Sequence, residues 1–134
     1  MGEVVPDYRG KRILLVEDNR LNMEIFEEIL SQTGVKMEEA FDGTEAVEKV
    51  AESEEGYYDL ILSDIRMIYM NGYLMTKSIR GMNRKDVQKL PIIGMTADVE
   101  VCSVEAAIQA GMNDQIYKPF GIEEISDKLS KYLV

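Results

Sequence analysis

Four short apolar runs, each ending in a polar residue, constrain this chain more than any other feature. Ile13-Leu14-Leu15-Val16 leads into Glu17-Asp18, and Leu60-Ile61-Leu62 passes through Ser63 into Asp64. Ile92-Ile93-Gly94-Met95 leads into Thr96-Ala97, and Ile116-Tyr117 leads into Lys118-Pro119. A run without polar alternation marks a strand buried on both faces, as in parallel sheets covered by helices. If the four runs are parallel strands of one sheet, three carboxylates, a hydroxyl and an ammonium converge at its C-terminal edge. In open α/β sheets that edge is where ligands bind.

The segments between the runs change period. Leu21, Ile25 and Ile29, with Phe26 and Leu30, predict a helical stripe stopped at Gly34. Residues 35–40 alternate weakly, as an edge strand would. Asp42-Gly43 is a turn, and Ala46, Val47, Val50 and Ala51 predict a helix to about residue 54. Asn71-Gly72 is a turn before a helix over 73–80, and 83–89 reads as a charged loop. Val101, Val104, Ala107 and Ile108 predict a helix ending at Gly111, and Ile122, Ile125, Leu129 and Leu133 another. Five β-α units in succession predict a doubly wound five-stranded parallel sheet, order 2-1-3-4-5 (flavodoxin-like), with helices on both faces. Strands 1 and 3 then flank the point where the order reverses.

Composition removes several chemistries. The 134 residues suit one domain, read as 11–134 behind a tail or linker remnant at 1–10. The balance of 25 acidic against 15 basic residues, net charge -10, argues against direct binding of nucleic acid or an anionic membrane. It fits a cytoplasmic protein whose partners are proteins. The chain has no histidine, which excludes Ser-His, Cys-His and His-zinc sites, and its single cysteine excludes an internal disulfide.

Asp64 is the candidate nucleophile: a carboxylate takes a phosphoryl group to give an acyl phosphate. Taken alone, it reads better as a cap for the following turn. Glu17 and Asp18 at the end of the neighbouring strand change the reading. Gathered carboxylates raise one another's pKa unless a cation sits between them, and a hard ion such as Mg²⁺ suits oxygen ligands. Lys118 can pair with Asp64 and then with a phosphoryl oxygen. A cis Lys118–Pro119 peptide would aim it inward, although only a minority of X-Pro bonds are cis. The Thr96 hydroxyl can donate to the same group, and Ala97 leaves room for backbone contacts. Phosphoryl transfer needs positioning and charge neutralisation more than proton transfer.

In the order ILLVEDNRLNMEI, DLILSDIRM, MNGY, PIIGMTAD and GMNDQIYKPF, the chain resembles the receiver domain of bacterial two-component response regulators. The opening GKRILLVEDNRLN is most similar to receivers of hybrid sensor histidine kinases. The resemblance implies a phosphoacceptor signalling domain that phosphorylates itself with Mg²⁺ from a sensor histidine kinase or histidine phosphotransfer protein. It implies Glu17 and Asp18 as the metal acids, Asp64 as phosphoacceptor, Thr96 as switch hydroxyl and Lys118 as the site lysine. The carbonyl of Arg66 should complete the metal site. A covalently joined kinase or output domain is a further implied partner. Phosphorylation would shift the Thr96 loop and the elements after it, favouring one of two existing states.

Departures from the family pattern matter. Ile68 stands where receivers usually have proline, Ser63 where they have an apolar residue, and Gln115 where an aromatic ring commonly switches. Arg66 and Asp98 hold the two positions that tune phosphoryl lifetime in the family, and as an opposite-charge pair they are expected to shield Asp64 from water. A degenerate receiver, acting as a phosphorylation-independent interaction module, is the alternative. A haloacid-dehalogenase phosphohydrolase would want an aspartate where Arg66 stands. An FMN-binding flavodoxin would need a phosphate loop where Glu17-Asp18 would repel phosphate.

Overall fold

A computed structural model describes residues 5–67, 70–97 and 104–134. Its five strands, β1 Arg12–Val16, β2 Lys36–Ala40, β3 Leu60–Asp64, β4 Ile92–Thr96 and β5 Asp114–Tyr117, form one parallel sheet in the order β2-β1-β3-β4-β5. This is the doubly wound arrangement the apolar runs imply. Among the described residues six helices connect or cover the strands: α1 Arg20–Ser31, α2 Gly43–Glu52, α3 Gly72–Arg80, α4 Lys85–Lys89, α5 Val104–Ala110 and α6 Ile122–Leu133.

The pleat explains why β1 has no polar alternation. Ile13 and Leu15 enter the core on the α1 and α6 side; Leu14 and Val16 enter the core on the α2 and α3 side. β3 divides likewise, with Leu60 and Leu62 on the first side and Ile61 on the second. Side-chain capping starts three helices. Asn19 accepts from the backbone N–H of Asn22 at 3.0 Å, Asp42 from that of Glu45 at 2.7 Å, and Asn71 from that of Leu74 at 2.9 Å. Gly34 follows α1 at φ +76°, a left-handed conformation that favours glycine.

The structure departs from the sequence expectation in four places. Leu21 and Ile25 are 65% and 44% exposed, so they are not the buried stripe of α1. Phe26 and Leu30 of the expected stripe are buried, together with Met23, which it left out, and Ile29 packs partly against the core. Ile108 of α5 is likewise exposed, while Ala107 is buried. The stretch expected to be a charged loop contains α4, which buries Val87. Finally, the segment read as a tail contributes Tyr8 to the core, fully buried. Its hydroxyl lies 2.7 Å from Ser130 Oγ on α6, and its N–H donates to the Thr33 carbonyl at 2.8 Å. Val101 and Cys102 lie outside the described residues.

Candidate phosphoacceptor site

The C-terminal ends of β1, β3 and β5 bring the charged groups together. Glu17 follows β1, and its backbone N–H donates to the Ala40 carbonyl at 3.0 Å. Asp64 is the last residue of β3 and pairs in register with Met95. Lys118 follows β5, and its N–H donates to the Thr96 carbonyl at 2.8 Å. That bond ties the lysine to the end of β4. The Lys118–Pro119 peptide is cis.

Lys118 Nζ lies 3.3 Å from Glu17 Oε2 and 3.4 Å from Asp64 Oδ1. One carboxylate oxygen each from Glu17, Asp18 and Asp64 lies within 4.8 Å of the others. Glu17 and Asp64 are buried, and Asp18 is half-buried. Burial, and then the charge on Asp64, push the Glu17 carboxyl up to about 7; Lys118 and the Asn19 N–H oppose this. Burial also raises Asp64, against the pull of the Lys118 ammonium and the Arg66 backbone N–H. Among the described residues the Lys118 ammonium thus pairs with two of the three clustered carboxyl groups. The remaining repulsion and the all-oxygen donor set fit a hard divalent cation.

Around this centre Thr96 is buried at the end of β4, and Ala97 after it is exposed. Gln115 is buried within β5 beside Gly94. Its amide therefore occupies the core at the position where the family commonly has a ring. Arg66 is exposed just beyond Asp64. Asp98 and Ile68 lie outside the described residues, and the expected Arg66–Asp98 pair lies outside them too. Ser63 is buried and donates to the Asp64 carbonyl at 2.8 Å.

Two features escaped the sequence reading. The Asn19 backbone N–H donates to Glu17 Oε1 at 3.2 Å, so the cap of α1 also holds a site carboxylate. Gly72, at the start of α3, packs directly under β3: a Cβ there would stand 2.7 Å from the Asp64 carbonyl oxygen. The Asn71-Gly72 dipeptide signalled a turn but not that close approach.

Residues 13–130 match the response regulator receiver domain family. The chain belongs to that family. Membership makes it a phosphoacceptor signalling domain of two-component phosphorelays.

Among curated relatives, hybrid signal transduction histidine kinase L of Dictyostelium discoideum is 32% identical over 122 residues, covering 90% of this chain. The sensor protein EvgS of Escherichia coli K12 is 31% identical over 119 residues, covering 89%. The matched regions are only 7% and 9% of those kinases, so the chain corresponds to one small part of each. Among solved structures, the receiver domain of a Pseudomonas aeruginosa sensor histidine kinase is 35% identical, with TM-score 0.82 over 92% of this chain and 98% of that one. That receiver has a magnesium ion coordinated in its active-site cleft. The receiver of the Saccharomyces cerevisiae response regulator Ssk1, solved with the histidine phosphotransfer protein Ypd1, is 27% identical with TM-score 0.78, over 98% of this chain and 92% of that one.

Proposed function

We propose that Asp64 of this receiver accepts a phosphoryl group from the phosphohistidine of a sensor histidine kinase or histidine phosphotransfer protein. An Asp64 carboxylate oxygen forms the new O–P bond as the N–P bond of the donor breaks, and the electron pair leaves with the imidazole nitrogen. Lys118 carries the reading, because its ammonium lies within 3.4 Å of Asp64 and reaches Glu17 as well. As charge spreads over the phosphoryl oxygens, Lys118 stays paired and the Thr96 hydroxyl donates to one of them.

Glu17, Asp18, Asp64 and the Arg66 carbonyl would hold a magnesium ion. When bound, the ion supplies positive charge to the phosphoryl oxygens and relieves the repulsion among the carboxylates. The donor set supports this, as does the magnesium ion in the Pseudomonas aeruginosa receiver.

The phosphodonor partner docks over α1. The exposed Leu21 and Ile25 form an apolar face on the helix that directly follows Glu17-Asp18. The Ssk1 receiver in its complex with Ypd1 supports a partner of this class. The similarity to hybrid kinases supports a covalently joined kinase. A cytoplasmic location accords with such partners. No helix among the described residues is long and apolar enough to cross a membrane. Arg66 and Asp98 shield the acyl phosphate from water, and Ala97 leaves space beside it. Gln115 and Thr96 carry the switch toward β5 and α5.

The test is beryllofluoride titration with excess magnesium, followed by amide resonances. Wild type should respond at the ends of β3, β4 and β5, and Asp64→Asn should not. An equal response of Asp64→Asn would overturn the assignment.

A further inference from the structure

Lys118 has a third neighbour besides the two carboxylates. Its ammonium lies 5.3 Å from the centroid of the Phe26 ring. Phe26, on α1, is 6% exposed and stacks on Phe120, with centroids 5.2 Å apart and planes at 16°. The two rings make a slab, held by α1 on one side and by the segment after β5 on the other. Core packing explains why Phe26 is buried. It does not explain a cation over the ring, since an aliphatic side chain could fill that volume.

The face of an aromatic ring carries the negative end of its quadrupole. It attracts an ammonium within about 6 Å, more strongly where water is excluded. Lys118 is only 17% exposed. Its four-carbon stem is flexible, and Glu17 competes with Asp64 for its charge. When Asp64 becomes an acyl phosphate, a mixed anhydride, the ammonium passes from the carboxylate oxygen to a phosphoryl oxygen. Throughout that exchange Glu17 competes for it, and a third contact that holds it over the cleft favours the transfer.

We propose that Phe26 is a positioning residue for phosphoryl transfer, its ring face holding the Lys118 ammonium over Asp64. This rests on the reading that Lys118 pairs with the phosphoryl group. Phe26 touches neither donor nor phosphorus and acts only through Lys118, with Phe120 fixing the ring plane.

The experiment uses the whole chain, with Phe26→Leu and with a trifluorinated phenylalanine at position 26, each alone and combined with Lys118→Met. The fluorinated ring keeps its shape but loses the negative face. Initial rates of phosphorylation by an acyl phosphate donor at saturating magnesium, magnesium affinity and thermal midpoint are measured. The fluorinated ring should slow phosphorylation about 3- to 10-fold with magnesium affinity unchanged. In the Lys118→Met background the same change should have an effect within about twofold of none. Equal losses in both backgrounds, or no loss with the fluorinated ring, overturn the proposal. If wild type takes no phosphoryl group, the Asp64 reading falls and this proposal with it. If wild type is phosphorylated and Lys118→Met slows it while Phe26 shows no coupling, the proposal alone falls.

Discussion

Lys118 Nζ stands 3.4 Å from Asp64 Oδ1, although the two residues come from strands that do not pair. β4 lies between β3 and β5, and it ends in Thr96, whose carbonyl accepts the Lys118 N–H. The long lysine side chain spans that strand. The ammonium is shared with Glu17, so the three carboxyl groups and this one lysine together carry excess negative charge.

Glu17 should therefore limit stability at neutral pH. Its carboxyl is pushed from 4.5 up to about 7, first by burial and then by Asp64. A folded pKa above the unfolded one means that the protonated form favours folding. That contribution is full below about 4.5 and is lost as pH rises through about 7. In chelator, Glu17→Gln should stabilise the protein by about 1–3 kcal/mol at pH 8 and be near neutral at pH 4. Urea unfolding at the two pH values checks this. The same variant should lose at least ~10-fold in magnesium affinity.

Arg80 offers a contrasting half-buried charge. Its guanidinium donates to the carbonyls of Val87 at 2.6 Å, Leu90 at 2.7 Å and Gly111 at 2.8 and 3.1 Å, and to Asn113 Oδ1 at 2.9 Å. It joins the end of α3 to α4 and to the turn before β5. Arg80→Met removes these donors, leaving Asn113 Oδ1 its bond from the Ile92 N–H, and should cost about 2–4 kcal/mol in chemical denaturation. Arg80→Lys should recover only part, since an ammonium has three donors and no planar fork. Magnesium affinity should be unchanged in both.

Tyr8 tests where the folded unit begins. Tyr8→Phe removes the bond to Ser130 and should cost about 1 kcal/mol. Tyr8→Ala leaves a cavity among core residues and should cost about 3–5 kcal/mol. A chain starting at Lys11 that melts at the same temperature as the whole protein would contradict this.

Gly72→Ala should damage the site through the backbone. The added Cβ would meet the Asp64 carbonyl oxygen at 2.7 Å and Ile65 Cα at 3.0 Å, and neither can rotate away. The resulting shift of Asp64 should lower the phosphorylation rate at least ~10-fold. Circular dichroism should still report a folded α/β protein.

The chain by itself determined the sheet and the identity of its polar edge. Strands with apolar residues at every position need cover on both faces, and right-handed crossovers leave few ways to supply it. Glu17, Asp18, Asp64, Thr96 and Lys118 were readable because each ends such a run. Rotation about a helix axis was not readable from period alone: the expected α1 stripe joined Leu21 and Ile25 to Phe26, Ile29 and Leu30 and left out Met23. Contacts with the sheet and Phe120 turned Met23, Phe26 and Leu30 inward. α4 was too short to show a period, and Tyr8 and Arg80 take their roles from partners far along the chain. Periodicity reports local geometry, whereas the placing of Phe26 under Lys118 depends on how α1 and the end of β5 pack together.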